Sequence, residues 1–187
     1  LPKTRDVISF KRSLNIKEST RIVTLLPGSR ISELRRMLPV FIETAKLLNT
    51  KFSDIVFVCP TPKIVSKYFK ELVSKKDIKI KHICAEAISI EEFEKNKKSL
   101  YACSDLALAT SGTVVLELAK ASVPMIVGYR TGFLTQIIYK FFIKVTSANL
   151  INLVTKRKDV PEFLFHKCNS KNLYNEAEKI LGKRKHV

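Results

Sequence analysis

Apolar residues recur along this chain with two different periods, and the two periods alternate. RIVTLL (21–26), DIVFVCP (54–60), DLALAT (105–110) and PMIVGY (124–129) are short runs, apolar at both odd and even positions. That pattern predicts strands buried on both faces. IKIKHI (78–83) alternates apolar with polar, as a half-exposed strand near a sheet edge does. Between the runs the period lengthens to that of a helix. ISELRRMLPVFIETAKLL predicts a helix over 32–49. Thr61 as N-cap with Pro62 in the first helical position predicts another, to about Lys75. Ser89 and Glu92 form a capping box opening a helix over 89–104, GTVVLELAKA predicts a fourth, and SKNLYNEAEKILGK (170–183) the last. Strands alternating with helices imply a parallel sheet covered on both faces, a doubly wound, Rossmann-like α/β domain over 21–187. Residues 1–20 read as a basic lead-in.

Composition narrows the chemistry. The chain has 187 residues, 45% of them hydrophobic, enough for one core. Apolar stretches fall short of the roughly 18 residues of a membrane span, and the opening residues lack the apolar centre of a signal peptide. The chain opens on Leu1 rather than Met, as a piece of a longer protein would. Cys59, Cys84, Cys103 and Cys168 have no C-x-x-C spacing and read as buried thiols of a reducing compartment. His82, His166 and His186 are scattered, so no metal site is expected.

The formal charge of +17 raises the question of nucleic acid. Yet 25 of the 34 basic residues are lysines, spread from Lys3 to Lys185, and their short clusters are the solvated faces of an ordinary surface. No zinc finger, RNA-binding signature or basic stripe interleaved with aromatics is present, and no nucleic-acid partner is expected. A diffuse positive field suits an anionic membrane surface or a phosphorylated ligand equally well.

Ligands of a doubly wound sheet sit outside the carboxyl ends of its strands, and two loops there are unusual. Pro27-Gly28-Ser29 breaks the first strand with a sharp turn, and Arg30 adds a bidentate fork suited to a phosphate. The alternative is a plain turn followed by a solvent arginine. In the second loop, Ser111-Gly112-Thr113 follows a buried strand and opens a helix, so that N–H groups and two hydroxyls converge. Glu117, about one turn on, is placed to accept hydrogen bonds from a ribose diol. Here the alternative makes Ser111 and Thr113 helix caps and Glu117 a surface residue. Neither loop is a G-x-G-x-x-G or a Walker sequence. Together on one sheet they point to a nucleoside diphosphate.

LLPGSRISELRRMLPVF, SDLALATSGTVVLELAKASVPMIVGYR and LINLVTKRKDVPEFLFHKC, in this order and spacing from about Arg21 to Cys168, resemble the carboxyl-terminal half of lipid-A-disaccharide synthase. The resemblance implies one half of a GT-B fold, two Rossmann-like domains working without metal or cofactor. It implies transfer of 2,3-diacylglucosamine from UDP to 2,3-diacylglucosamine 1-phosphate, an inverting step that makes a β-1′,6 linkage and releases UDP. By the same resemblance Gly28, Ser29 and Arg30 would hold the diphosphate from one side and Ser111, Gly112 and Thr113 from the other. Arg30 would stabilise the leaving group, Glu117 would take the ribose, and Asn152 in LINL would contact the nucleotide-sugar. Arg157 and Glu162 fall on the family's basic and PE positions. The sequence departs from the family at Ile151, where proline is usual, at Thr155-Lys156, and at Phe165, where glutamine is common.

The resemblance also implies partners: an amino-terminal half that carries the acceptor site and the general base, and the cytoplasmic face of the bacterial inner membrane. A self-associating chain, a homo-oligomer, is a further expectation. Alone, this half would catalyse little. FLTQIIYKFFIKV (133–145), with Lys140 and Lys144, reads either as a core helix or as an apolar face resting at a bilayer interface. Other readings are a different GT-B enzyme, such as a UDP-N-acetylglucosamine epimerase or transferase, and a basic module that binds nucleic acid or membrane.

Overall fold

The structure, a computed structural model, describes residues 4–86, 88–130, 152 and 160–183. Its strands are β1 (Arg21–Leu26), β2 (Ile55–Thr61), β3 (Ile80–Cys84), β4 (Leu106–Thr110), β5 (Met125–Tyr129) and β6 (Glu162–Leu164). They form one parallel six-stranded sheet in the order β3-β2-β1-β4-β5-β6. The chain winds outward from β1 to the edge strand β3, then crosses back to lay β4 on the other side of β1. Connections from β1 and β4 therefore diverge, and a crevice opens between the loops that follow them.

The helices are α1 (Thr4–Ser13), α2 (Ile31–Lys51), α3 (Lys63–Ser74), α4 (Ile90–Ala102), α5 (Val114–Lys120) and α6 (Ser170–Lys183). Helices α2, α3 and α6 cover one face of the sheet, with Leu34, Phe41, Phe69 and Leu173 packed on Val23, Leu25, Phe57 and Leu108. Helices α4 and α5 cover the other through Tyr101, Val115 and Leu118. Burying a side chain the size of Phe41 or Phe57 contributes on the order of 1.5–3 kcal/mol. That is ample to carry α2 past Pro39, which removes one helical hydrogen bond.

Two polar clasps fix β4 against β1. The backbone N–H of Ile22 donates to Asp105 Oδ2 at 2.8 Å, and the Asp105 N–H donates to the Ile22 carbonyl at 2.8 Å. Above them Thr24 Oγ1 and Ser104 Oγ share a buried hydrogen bond of 2.6 Å. The resulting register pairs Leu26 with Ala109, so the loops that begin after Leu26 and after Thr110 leave neighbouring strands. On β5, Gly128 lets neighbours close in: a Cβ there would lie 2.9 Å from both Cys168 Sγ and Met37 Cε.

Three elements differ from the sequence reading. Thr61 is not a helix cap. It ends β2, its hydroxyl is 2.6 Å from His82 Nε2, and Pro62 stands at the N-cap of α3 instead. The lead-in carries a helix, α1, hidden in the sequence by its charges. Phe10 and Ile16, in and just after α1, are buried in one cluster with Ile22, Val58, Phe93 and Leu100. Strand β6, too short to show a period, pairs Glu162 with Val127. Of the cysteines, Cys59, Cys103 and Cys168 are buried and Cys84 is half-buried, all four as free thiols. Burial holds the Cys103 and Cys168 thiols up at about 11, so they stay protonated. Segment 133–145 and Arg157 lie outside the described residues. Among the described residues no helix is long and apolar enough to cross a membrane.

Candidate functional site

The crevice at the β1–β4 switch holds a cavity of about 500 Å³, the size of a small-ligand site. Gly28, Ser29 and Arg30 line it from the end of β1, and Ser111, Gly112, Thr113 and Glu117 line it from the end of β4. Seven of the residues singled out in the sequence thus meet around one space. Asn152 does not line it. That residue is 6% exposed, and its side-chain amide is spent on the backbone of Val160, donating to the carbonyl at 2.9 Å and accepting from the N–H at 3.0 Å. Glu162 sits on the edge strand β6.

The first loop is held by a residue that sequence reasoning missed. Gly28 adopts φ +112°, a conformation that only glycine takes without strain. The turn it makes delivers Ser29 and Arg30 to the start of α2, where Glu33 reaches back. Its Oε2 accepts from the Ser29 N–H at 3.0 Å and from the Arg30 N–H at 3.3 Å. Its Oε1 lies 3.2 Å from Arg30 Nη1. A carboxylate of the protein itself therefore occupies the amide groups at the mouth of the loop. The sequence signal was the acidic residue three positions after the N-cap, half of a capping box. The Arg30 side chain is 80% exposed, with the rest of its fork open to solvent.

The second loop is built with less internal bonding. Thr113 stands at the N-cap of α5, yet its hydroxyl makes no capping hydrogen bond, contrary to the capping alternative. A Cβ built on Gly112 meets nothing within 4 Å. Among the described residues there is no packing reason for glycine at that point, which lies on the cavity wall. Beneath it the Thr110 hydroxyl is buried without any hydrogen-bond partner. Such an orphan costs on the order of 1–3 kcal/mol.

Glu117 carries the remaining polar wall. Its Oε2 lies 3.2 Å from Lys97 Nζ and accepts from the Tyr101 hydroxyl at 3.4 Å. Lys97 also grips Glu94 at 2.9 Å. Burial opposes the Lys97 charge, but the hydrogen bonds and charges of Glu94 and Glu117 outweigh it and hold its pKa above the ordinary lysine value. Burial, seconded by the Glu117 carboxylate, pushes the Tyr101 phenol well above its usual range, so it remains a donor. Among the described residues, the charged side chains lining the cavity are Arg30 and Lys97 against Glu33, Glu94 and Glu117. Among the described residues the lining thus carries no excess of positive charge, and an anion there depends on directed contacts rather than on a general field.

Comparison with known proteins places these features in a family. The family model described as lipid-A-disaccharide synthetase matches residues 1–187. The chain is 34% identical over 173 residues to the lipid-A-disaccharide synthase of Rhodospirillum centenum, covering 92% of this chain and 41% of that protein. To the Gluconobacter oxydans enzyme of the same name it is 35% identical, covering 92% of this chain and 40% of that one. It therefore spans less than half the length of these relatives. Among solved structures, E. coli ADP-heptose LPS heptosyltransferase II superposes with a TM-score of 0.70 at 9% identity, over 98% of this chain and 53% of that one. WaaG, a glycosyltransferase involved in lipopolysaccharide biosynthesis, gives 0.62 at 15% identity, over 97% and 43%. At those identities the likeness is one of fold, that of one half of a GT-B glycosyltransferase.

Proposed function

The chain belongs to the lipid-A-disaccharide synthase family, and from that membership we propose that its cavity is the donor-nucleotide half of the transferase site. One observation carries the reading: the Gly28–Arg30 and Ser111–Thr113 loops leave adjacent strands and face each other across a single cavity of nucleotide size. UDP-2,3-diacylglucosamine is the donor, and its diphosphate lies between the loops. Arg30 meets it from one side, and the open wall at Gly112 from the other. Glu117 receives the ribose diol.

In the reaction an acceptor hydroxyl of 2,3-diacylglucosamine 1-phosphate forms a bond to the anomeric carbon, the bond from that carbon to the diphosphate breaks, and UDP leaves. Negative charge grows on the diphosphate oxygens, where the Arg30 guanidinium is placed to stabilise it. The hydroxyl proton goes to a base outside the described residues, on the amino-terminal half that completes the site. The inner-membrane surface is where both lipid substrates are met. Glu33 holds the amides of Ser29 and Arg30 in this structure, so the diphosphate either displaces that carboxylate or is read by the guanidinium beside it.

Calorimetric titration of UDP into the chain at about 50 and 200 mM salt tests the proposal. Saturable binding of one UDP per chain, with a salt dependence far weaker than that of a polyphosphate-binding surface, supports it. Absence of binding at millimolar UDP, with RNA or anionic vesicles binding instead, would transfer the function to the surface charge. Gly112→Ala provides a sharper check. Because its Cβ meets nothing within 4 Å among the described residues, the melting temperature should stay within about 2 °C. UDP affinity should still fall roughly tenfold as the methyl group intrudes where the ligand backbone approaches, a loss of about 1.4 kcal/mol.

A further inference from the structure

Lys97 lies on α4, outside both ligand loops, and nothing in the loop pattern points to it. Its ammonium is placed between two carboxylates, 2.9 Å from Glu94 and 3.2 Å from Glu117 Oε2. The side chain is only 17% exposed, whereas that of Glu117 is 43% exposed. Tyr101, one turn further along α4, donates to the same Oε2 of Glu117 at 3.4 Å. Both donors of α4 thus converge on one oxygen. The other, Oε1, has no partner among the described residues, and Glu117 itself lines the cavity.

This asymmetry has a chemical consequence. A glutamate on the first turn of a helix has rotamer freedom that a ligand must freeze before it gains a hydrogen bond. A carboxylate already held by one oxygen presents the second in a fixed direction, ready to accept from a ligand. We propose that Lys97, anchored by Glu94 and seconded by Tyr101, is the positioning residue that locks Glu117 to read a ribose diol, so that discrimination of ribo- from deoxyribonucleotide depends on α4. The inference rests on the nucleotide reading of the cavity. Removing Lys97 leaves Glu94 and Glu117 as unneutralised neighbours. Glu117 then turns away from Glu94, and the direction of Oε1 is lost.

The test compares UDP with 2′-deoxy-UDP by calorimetry on the parent chain and on Lys97→Met, Lys97→Arg and Tyr101→Phe. The parent should prefer UDP by about tenfold, the scale of one hydrogen bond to a charged acceptor. Lys97→Met should reduce that preference below about threefold, Lys97→Arg should restore most of it, and Tyr101→Phe should fall between. A ratio of two ligands on one variant is insensitive to general loss of stability, which weakens both alike. Retention of the full preference in Lys97→Met overturns the inference while leaving Glu117 as the ribose contact. Equal binding of both nucleotides by the parent also overturns it, with the nucleotide site intact. Failure of the parent to bind either overturns the proposed function and this inference with it.

Discussion

Arg30→Ala should weaken UDP binding by about 10- to 100-fold while leaving the fold unchanged. Its side chain is 80% exposed and makes one ion pair, to Glu33. An exposed pair of this kind contributes about 0–1 kcal/mol to stability, so the melting temperature should move by no more than about 2 °C. A hydrogen bond between charged groups is worth about 1.5–3 kcal/mol, and among the described residues nothing else on the β1 side of the cavity offers a cation. Where the amino-terminal half is present and turnover can be measured, the loss should deepen to about 2–4 kcal/mol of transition-state stabilisation, because charge on the diphosphate is greatest as UDP departs. Arg30→Lys should recover only part of the binding, since an ammonium cannot reproduce the planar fork. Isothermal titration with thermal melts of the same samples separates the two effects. A variant that binds UDP as the parent does would make PGSR a structural turn.

The contrast between what the sequence revealed and what it hid follows from the range of each interaction. Strands β1, β2, β4 and β5 were legible because burial on both faces leaves a run apolar at both odd and even positions, a local property. So were the two loops that line the cavity, which interrupt such runs with glycine and hydroxyl residues. Thr61 misled because a threonine followed by proline has the same local look at a strand end as at a helix cap. Its hydroxyl is taken by His82, a residue 21 positions away on the neighbouring strand. Glu33 was overlooked because it fits the polar face of an amphipathic helix, and its backward reach to Ser29 shows only in the three-dimensional turn. Lys97 and Tyr101 meet Glu117 only because the chain crosses from α4 through β4 to α5. For Asn152 the motif position was readable, but its pairing with Val160 was not, and that pairing keeps its amide from the cavity wall.

The first loop also sets up the larger structural prediction. Gly28→Ala should lower the melting temperature by roughly 5–10 °C and reduce UDP affinity at least as much as the loss of Arg30 does. Two costs combine. Alanine at φ +112° carries backbone strain of about 1–3 kcal/mol. Its Cβ would also fall 2.5 Å from Glu33 Cβ and 2.6 Å from Glu33 Oε2. The carboxylate oxygen can swing aside, but Glu33 Cβ is fixed to the first turn of α2 and cannot. Relief requires the loop to move away from α2, and that movement carries Ser29 and Arg30 off the cavity. For a chain of this length 1 kcal/mol corresponds to about 2–4 °C, which sets the size of the expected shift. The double variant Gly28→Ala with Glu33→Ala separates the causes. It removes the carboxylate but keeps a Cβ at position 33, so stability should remain low if backbone conformation and the Cβ contact dominate. Recovery to the parent melting temperature would instead assign the cost to the carboxylate alone. In that case the loop tolerates a side chain at position 28, and the diphosphate reading would rest on Arg30 and the β4 loop without it.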